Sequence, residues 1–310
     1  MFDQSKYSSF RQLIRNRIRS LLIPYFIYSV ATWCVWILHH LVDGTKRDFL
    51  GSLLQTVIAQ GSGGYLVHNV ALWFVTCLFV VDMMYYFICK LPDIANIVLC
   101  MVMAAVGHFM VCDHRLFDFT KLPWNLEVAM SAMLFYCAGN LLAKSFGKNI
   151  FAVWCNNAPK LCSILLLALL TAFFSGSIWN GHITLGSNLL GRSTVLLYLN
   201  GLTGTFAVLL AVNLIPLLKL RWCEMLLAGI RYIGRNSFHF MAVHFPLKNI
   251  MAFLLVHCLR RSGVTYESLS NEPLQSLLLF SLTLTVSIVV VMMIRYVLRR
   301  LECRPRAAGR

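Results

Sequence analysis

LWFVTCLFVVDMMYYFICK, residues 72–90, is the stretch that decides the fold of this chain. It is apolar almost throughout, and a helix of this length crosses a hydrocarbon core that is about 30 Å thick. Comparable apolar stretches recur along the chain at residues 20–41, 69–89, 94–112, 124–143, 159–178, 193–218, 237–259 and 275–298. The sequence therefore predicts an all-α fold, a polytopic transmembrane helical bundle of about eight spans.

The composition agrees with that prediction. Of the 310 residues, 59% are hydrophobic and only 13% are charged, whereas a soluble domain is about half apolar and a quarter charged. A shorter apolar piece, Phe49–Ala59, cannot span and is typical of an interfacial or re-entrant segment. No connecting segment is long enough for a soluble domain, so we expect one membrane-embedded domain over 1–310, with 1–19 as a basic cytoplasmic segment.

The net charge of +15 follows the membrane topology. With a cytoplasmic N-terminus, eight spans place most of the 27 Lys and Arg residues on the cytoplasmic side, as the positive-inside rule requires. The distribution indicates a multi-pass protein with both termini in the cytoplasm and membrane lipids as partners. It argues against nucleic acid as a partner.

Motifs typical of soluble enzymes and of metal-binding proteins are missing from the sequence. The eleven cysteines form no C-x-x-C pair and no His/Cys cluster at zinc spacing, so no metal site is predicted. A P-loop, a dinucleotide fingerprint, a nucleophile elbow and an H-E-x-x-H motif are also missing.

Two carboxylates fall inside predicted spans, Asp82 in mid-span and Glu127 near the start of the fourth span. A carboxylate in hydrocarbon costs several kcal/mol unless it is paired or neutralised, so both should face the bundle interior. Candidate partners are an interior arginine or one of the histidines His68, His108, His239 and His244. Trp73 and Trp124, near outer span ends, are typical of interfacial anchors.

The stretch RYIGRNSFHFMAVHFPLK, residues 231–248, carries polar groups on an apolar helix. Helical spacing places Ser237, His244 and Lys248 on one face, which should meet protein or a water-filled cavity. Pro246 removes the hydrogen bond to the carbonyl of Ala242. Either the stripe holds helices together or it lines a functional pocket.

Arginines repeat at every fourth position at the start of the chain, at Arg11, Arg15 and Arg19. This spacing aligns them on one helix face. The face could attract anionic lipid headgroups, at about 1 kcal/mol per charge, or bind the phosphates of a cytosolic cofactor.

Residue chemistry alone leaves two functions open. A histidine and carboxylates at membrane depth suit proton relay in a transporter or flippase, and they also suit base-assisted transfer of a group to a hydroxyl.

Four segments, in this order, resemble the acyltransferase 3 family of integral membrane O-acyltransferases, especially its fucose 4-O-acetylase-like branch. They are FRQLIRNRIRSLLIPYFIYS (10–29), LWFVTCLFVVDMMYYFICK (72–90), LPWNLEVAMSAMLFYCAGNLL (122–142) and YIGRNSFHFMAVHFPLK (232–248). A weaker match, HITLGSNLLGRSTVLLYLNGLTG (182–204), extends the resemblance over nearly the whole chain.

The resemblance implies transfer of an acetyl (acyl) group from acetyl-CoA to a hydroxyl of a cell-surface polysaccharide or lipid-linked sugar, at the inner (cytoplasmic) membrane. It implies that Arg15 and Arg19 meet the phosphates of the acyl donor. Glu127 and His244 become the candidate catalytic residues, with a histidine as the general base that activates the sugar hydroxyl. The remaining pocket-lining candidates are Trp73, Asp82, Arg235, Asn236 and Ser237.

The sequence also differs from the family pattern at its N-terminal end. Family members usually begin with two further helices, about ten in all, and the first carries the histidine taken to be catalytic. The sequence begins after both, and Arg235 and His244 do not replace that motif. The resemblance thus predicts an N-terminally incomplete reading frame or a catalytically inactive member.

Overall fold

The computed structural model describes residues 9–42, 44, 48–59, 66–112, 122–146, 149–187, 189–259 and 264–302. Within these residues, eight helical segments are long and apolar enough to cross a membrane. The described part of the chain contains no β-strand beyond an isolated bridge between Thr184 and Leu189. The prediction of an all-α polytopic bundle is confirmed.

The α-helices follow one another along the whole described chain. They are α1 (Phe10–Arg17), α2 (Ile23–Val42), α3 (Phe49–Ile58), α4 (Trp73–Ile88), α5 (Asp93–Cys112), α6 (Leu126–Phe146), α7 (Ile150–Asn157), α8 (Pro159–Asn180), α9 (Thr194–Leu214), α10 (Arg221–Arg235), α11 (Ser237–Cys258), α12 (Tyr266–Asn271) and α13 (Pro273–Glu302). A π-helical segment, Ile18–Leu22, joins α1 to α2 without a break.

The first span is longer than its apolar run. Hydrophobicity alone predicts it over 20–41, whereas the continuous helix covers Phe10–Val42. The extension begins at a polar cap, where the backbone N–H of Gln12 donates to Oγ of Ser9 at 3.3 Å. Charged residues on one face do not interrupt a helix, so residues 10–19 of the predicted basic segment are helical. Residues 1–8 of that segment lie outside the described residues.

The chain divides into two compact units. The first comprises the described parts of Met1–Tyr25, Gln55–Leu66 and Trp73–Ala228. The second comprises those of Phe26–Leu54, Val67–Leu72 and Gly229–Arg310.

The core of the first unit lies around α4, which packs against α1 and α6. Its buried members include Leu13, Val81, Tyr85, Val128 and Met133. Helix α5 packs closely on α6, because Gly107 has no side chain at the crossing. A Cβ at Gly107 would lie 2.8 Å from the carbonyl oxygen of Glu127, so a larger residue would force the two helices apart.

The second unit is built on the pairing of α11 with α13. Phe240, Val243 and Val291 are buried between them, and Tyr28 of α2 packs against this cluster. The hydroxyl of Tyr28 lies 2.7 Å from Nδ1 of His239, so a hydrogen bond also links α2 to α11.

Pro246 lies inside α11 and leaves the carbonyl of Ala242 without its helical donor. The side-chain amide of Asn69 supplies the missing bond, donating from Nδ2 to that carbonyl at 2.7 Å. Asn69 is fully buried, so water cannot replace it. The carbonyl that Pro246 leaves without a donor is therefore hydrogen-bonded within the second unit, as an apolar environment requires.

We expect Asn69→Ala to lower the free energy of unfolding by about 1–3 kcal/mol, because a buried carbonyl loses its donor. In a Pro246→Ala background the backbone N–H returns, and the same substitution should cost less. Thermal unfolding of the four variants in detergent measures the difference. An equal cost of Asn69→Ala in both backgrounds would show that Asn69 does not compensate for Pro246.

Candidate functional site

A buried ion pair occupies the core of the first unit. Nε of Arg17 lies 2.9 Å from Oδ2 of Asp82, and its Nη2 donates to Oδ1 at 3.4 Å. The hydroxyl of Tyr136 donates a further hydrogen bond to Oδ1. Asp82 is only 1% exposed, so these two partners replace the hydration of its carboxylate. The expected interior arginine is therefore Arg17.

Helical geometry explains why this arginine turns inward. Two residues advance an α-helix by about 200°, so Arg17 lies nearly opposite Arg15. Arg15 and Arg19 are exposed, whereas Arg17 is partly buried. The π-helical segment starts directly after Arg17, and such segments are frequent at functional sites.

The outward arginines share one hollow. A space of about 740 Å³ along the first helix is lined by Arg11, Arg15 and Arg19 together with Ser9, Gln12 and isoleucines. None of these lining residues is acidic. The hollow is suited to a phosphate, whether of a nucleotide or of a lipid headgroup.

Glu127 lies in the first turn of α6, where it is 4% exposed. Its Oε2 accepts a hydrogen bond from the backbone N–H of Leu122 at 3.2 Å, which holds the turn that precedes the helix. Trp124 and Asn125 in this turn have φ of 61° and 55°, in the left-handed region. At least one oxygen of the Glu127 carboxylate therefore stabilises the turn before α6.

The turn before α6 is also tied to the end of α3. Asn125 donates from Nδ2 to the carbonyl of Ala59 at 2.7 Å. Trp124 donates from Nε1 to the carbonyl of Val57 at 2.9 Å. The indole predicted as an interfacial anchor thus also makes a specific protein contact.

Trp73 is half-buried against the loop that follows α8. A Cβ at Gly186 would lie 2.5 Å from Cε2 of the Trp73 ring, so only glycine permits this approach. The indole therefore supports the loop that forms one wall of a cavity in the first unit.

That cavity has a volume of about 1100 Å³ and lies among α5, α6, α9 and the loop between α8 and α9. Its apolar walls carry a few polar groups, including Arg192 and Asn180. Nδ1 of His108 lies 2.8 Å from the hydroxyl of Thr194, which fixes the imidazole at the wall. Apolar walls with a few placed polar groups are typical of a small-molecule pocket.

His244 lines a different cavity, of about 620 Å³, within the second unit. Its Nδ1 lies 2.8 Å from the carbonyl oxygen of Met241 and 3.1 Å from that of Phe240. Because carbonyls only accept, Nδ1 carries the proton and Nε2 has a free lone pair when the imidazole is neutral. This tautomer is the one that a general base requires.

Lys248, one turn beyond His244, lines this cavity and a second one of about 430 Å³. The second cavity is also lined by three histidines, His39, His40 and His68. Burial lowers the pKa of His68 to about 4, so this imidazole is neutral at physiological pH. Lys248 is exposed and is the basic side chain that lines both of these cavities.

The segment Arg235–Ser237 forms the junction between α10 and α11. Arg235 and Ser237 are exposed, and Asn236 is buried with its Nδ2 donating to the carbonyl of Tyr232 at 2.8 Å. The 620 Å³ and 430 Å³ cavities described above are lined by other residues. The structure therefore gives Asn236 a role in the helix junction.

A family model described as an acyltransferase domain matches residues 1–292. The chain belongs to the acyltransferase 3 family. The resemblance read from the four sequence segments is thereby confirmed at the level of the family. Searches of curated proteins and of solved structures return no match.

Membership of an acyltransferase family and eight candidate spans together make this chain a multi-pass membrane protein of acyltransferase type. Such a protein requires an acyl donor and an acceptor. The described residues contain no group of three or more His, Cys, Asp or Glu side chains that could hold a metal ion.

Sequence reasoning missed some of the residues that shape these sites. Tyr136 and Arg17 surround Asp82, and Thr283 and Ser287 face the His244 cavity from α13. The inward position of Arg17 could have been found from its spacing relative to Arg15. The others depend on which helices pair, which no local pattern reveals.

We expect Arg17→Met to lower the free energy of unfolding by about 3–5 kcal/mol, because it leaves the buried Asp82 carboxylate without its cation. Asp82→Leu should cost less, because the side chain of Arg17 is 23% exposed and keeps contact with water. The double variant should lose less than either single variant. Denaturation in detergent measures all three.

Lys144→Met is the matched control, since Lys144 and Asp93 form an exposed ion pair at 2.7 Å. Its cost should stay within about 1 kcal/mol. If the double variant lost as much as the sum of the single variants, the pairing would contribute nothing to stability.

Proposed function

We propose that this protein transfers an acyl group, acetyl in the simplest case, from acyl-CoA to a hydroxyl of a cell-surface polysaccharide or lipid-linked sugar. The observation that carries the proposal is the family match across residues 1–292. The asymmetric distribution of lysine and arginine supports the cytoplasmic membrane as its location, with both termini in the cytoplasm.

The candidate base in this proposal is His244, which lies outside the histidine motif of the family's first helix. Nε2 takes the proton of the acceptor hydroxyl as its oxygen attacks the thioester carbonyl carbon. The new C–O bond forms, the C–S bond breaks, and the imidazolium returns its proton to the leaving thiolate. The products are the ester and free CoA. The hydrogen bonds from Nδ1 to backbone carbonyls support this role, because they orient the ring and stabilise the imidazolium.

The acyl donor in this proposal binds through its phosphates to the outward arginines. Arg15 and Arg19 line the 740 Å³ hollow with Arg11, and no acidic residue lines it. Guanidinium groups bind phosphate by charge-assisted hydrogen bonds, often in pairs. Glu127, whose carboxylate also holds the backbone N–H of Leu122, remains a candidate for holding the acceptor.

His244→Ala should lower kcat for acyl transfer by about 10²–10⁴-fold, the range that general-base catalysis contributes. The assay uses purified protein in nanodiscs, isotope-labelled acetyl-CoA and surface glycan from a deletion strain, with mass spectrometry of the glycan. His257→Ala is the matched control, because His257 lies exposed on the same helix and stacks on Phe253.

Two results would count against the proposal in different ways. Labelled glycan from the His244→Ala protein at the wild-type rate would remove His244 from the mechanism. Glycan from the deletion strain that carries the same acetylation as the parent strain would contradict the acyltransferase proposal itself.

Arg15→Gln combined with Arg19→Gln should raise KM for acetyl-CoA by about tenfold or more, since hydrogen bonds to charged groups contribute about 1.5–3 kcal/mol each. With acetyl-pantetheine, which lacks the nucleotide phosphates, the same variant should behave as wild type. Arg299→Gln with Arg300→Gln, at the end of α13, is the control. An equal rise of KM for both donors would show that the arginines do not bind the nucleotide phosphates.

A further inference from the structure

The 1100 Å³ cavity of the first unit has an apolar half along α5. Met101, Ala105 and Phe109 line it from one face of that helix, and all three side chains are exposed. Met101 lies in the middle of α5, and the helical rise from there to Phe109 is about 12 Å. Because these side chains are exposed within a candidate span, lipid hydrocarbon can reach this half of the cavity from the side.

The other half of the cavity is polar and is formed by the loop between α8 and α9 together with the start of α9. Several of its polar side chains are engaged within the protein. Oδ1 of Asn180 accepts the backbone N–H of Ser193 at 2.7 Å, and the hydroxyl of Tyr198 donates to a backbone carbonyl of α6 at 2.8 Å. These side chains hold the wall of the cavity in place.

Arg192 brings a positive charge to the polar half. Its side chain is exposed, and none of the described residues that line the cavity is acidic. Its backbone is held firmly, because its N–H donates to the carbonyl of Asn180 at 2.9 Å. The preceding residue, Gly191, has φ of 80°, and a Cβ there would lie 2.6 Å from Nδ2 of Asn180. The loop therefore fixes the position of Arg192 and leaves its guanidinium accessible to a ligand.

The two halves together define the chemistry of the ligand. A guanidinium binds phosphate through charge-assisted hydrogen bonds, often in pairs. A wholly polar ligand, such as a free sugar, would leave the apolar half of the cavity without a partner, and a plain hydrocarbon would leave Arg192 without one. A lipid with its phosphate at the loop and its chain along α5 matches both halves in charge and in polarity.

We propose that this cavity binds the acceptor as a lipid-linked sugar, with a phosphate of the lipid at Arg192 and the hydrocarbon chain along α5. This inference rests on the proposed acyl transfer and selects the lipid-linked sugar over the finished polysaccharide. The cavity and the hollow lined by Arg15 and Arg19 both belong to the first unit. A sugar joined to the bound phosphate is held at the membrane, whereas a lipid-free polymer has no group for the apolar half.

A binding measurement tests the phosphate contact without catalysis. The probe is a fluorescent polyprenyl diphosphate, titrated into the whole chain in phosphatidylcholine nanodiscs. Arg192→Gln should raise the Kd of this probe about tenfold or more, because a hydrogen bond to a charged group is lost. The Kd of the matching polyprenol, which lacks the phosphates, should be higher and should not change in the variant. Arg221→Gln is the matched control, since Arg221 is an exposed arginine of the same unit outside the cavity.

A second pair of variants tests the hydrocarbon contact. Ala105→Trp places an indole in the apolar half, whereas Ala95→Trp places one at an exposed position of the same helix outside the cavity. Ala105→Trp should raise the Kd of the diphosphate probe about tenfold, the loss expected when about two buried methylene groups are displaced. Ala95→Trp should bind as the wild type does. Both alanines are exposed, so both variants should keep the Tm of the wild type.

Acyl transfer gives an independent measurement of the same contact. The acceptors are lipid-linked saccharide extracted from a deletion strain and the same saccharide after acid release from its lipid. Arg192→Gln should raise KM for the lipid-linked acceptor about tenfold and leave kcat and KM for acetyl-CoA unchanged, because only binding of the acceptor is weakened. The released saccharide should be the poorer acceptor, and its rate should not depend on Arg192.

The outcomes distinguish this inference from the proposed acyl transfer. Phosphatidylglycerol that displaces the probe as well as unlabelled polyprenyl diphosphate does would assign the cavity to an ordinary membrane phospholipid and overturn the inference. An unchanged Kd in Arg192→Gln and Ala105→Trp, or equal transfer to the released saccharide, would overturn it and leave the acyl transfer standing. A wild-type protein that binds the probe through Arg192 but acetylates neither acceptor would overturn the acyl transfer and leave only a lipid site.

Discussion

A carboxylate inside a hydrocarbon core has to be paired, hydrogen-bonded or protonated, because no water is present to solvate it. Asp82 meets this constraint with a guanidinium from α1 and a phenol from α6, while itself belonging to α4. One side chain thereby joins three helices of the first unit. The constraint also explains why Arg17 of the first helix turns inward, whereas Arg15 and Arg19 on either side of it stay exposed.

The same constraint governs the second unit. Pro246 exposes a backbone carbonyl in the middle of α11, and Asn69 satisfies it from a separate part of the chain. His244 likewise satisfies its Nδ1 on the carbonyls of its own helix. On α13, by contrast, Ser281 and Thr285 each bond to the carbonyl four residues earlier, whereas the buried hydroxyls of Thr283 and Ser287 make no such bond.

Local patterns predicted those features that depend on a single helix. Hydrophobic length placed the eight spans, since the cost of exposing polar backbone to lipid acts on each segment separately. A spacing of four residues brought Arg11, Arg15 and Arg19 to one hollow. The location of Asp82 in mid-span predicted an interior partner without naming it.

Pairings between helices could not be predicted in the same way. Tyr136 lies 54 residues from Asp82 in sequence, and Asn69 lies 173 residues from Ala242. No periodicity within one segment encodes such a contact. The resemblance predicts that Arg235, Asn236 and Ser237 line a pocket; the structure shows in addition that the side chain of Asn236 bonds within the junction between α10 and α11.

The sequence by itself determined the class of the protein and the helices from which it is built, because burial of apolar length in lipid is a property of each segment. It also determined the family, through the order of four segments. Only the tertiary structure decided which groups meet: Arg17 with Asp82, Asn69 with the carbonyl of Ala242, and α11 with α13 around the cavity that His244 lines. Those contacts depend on how helices distant in sequence pack against one another.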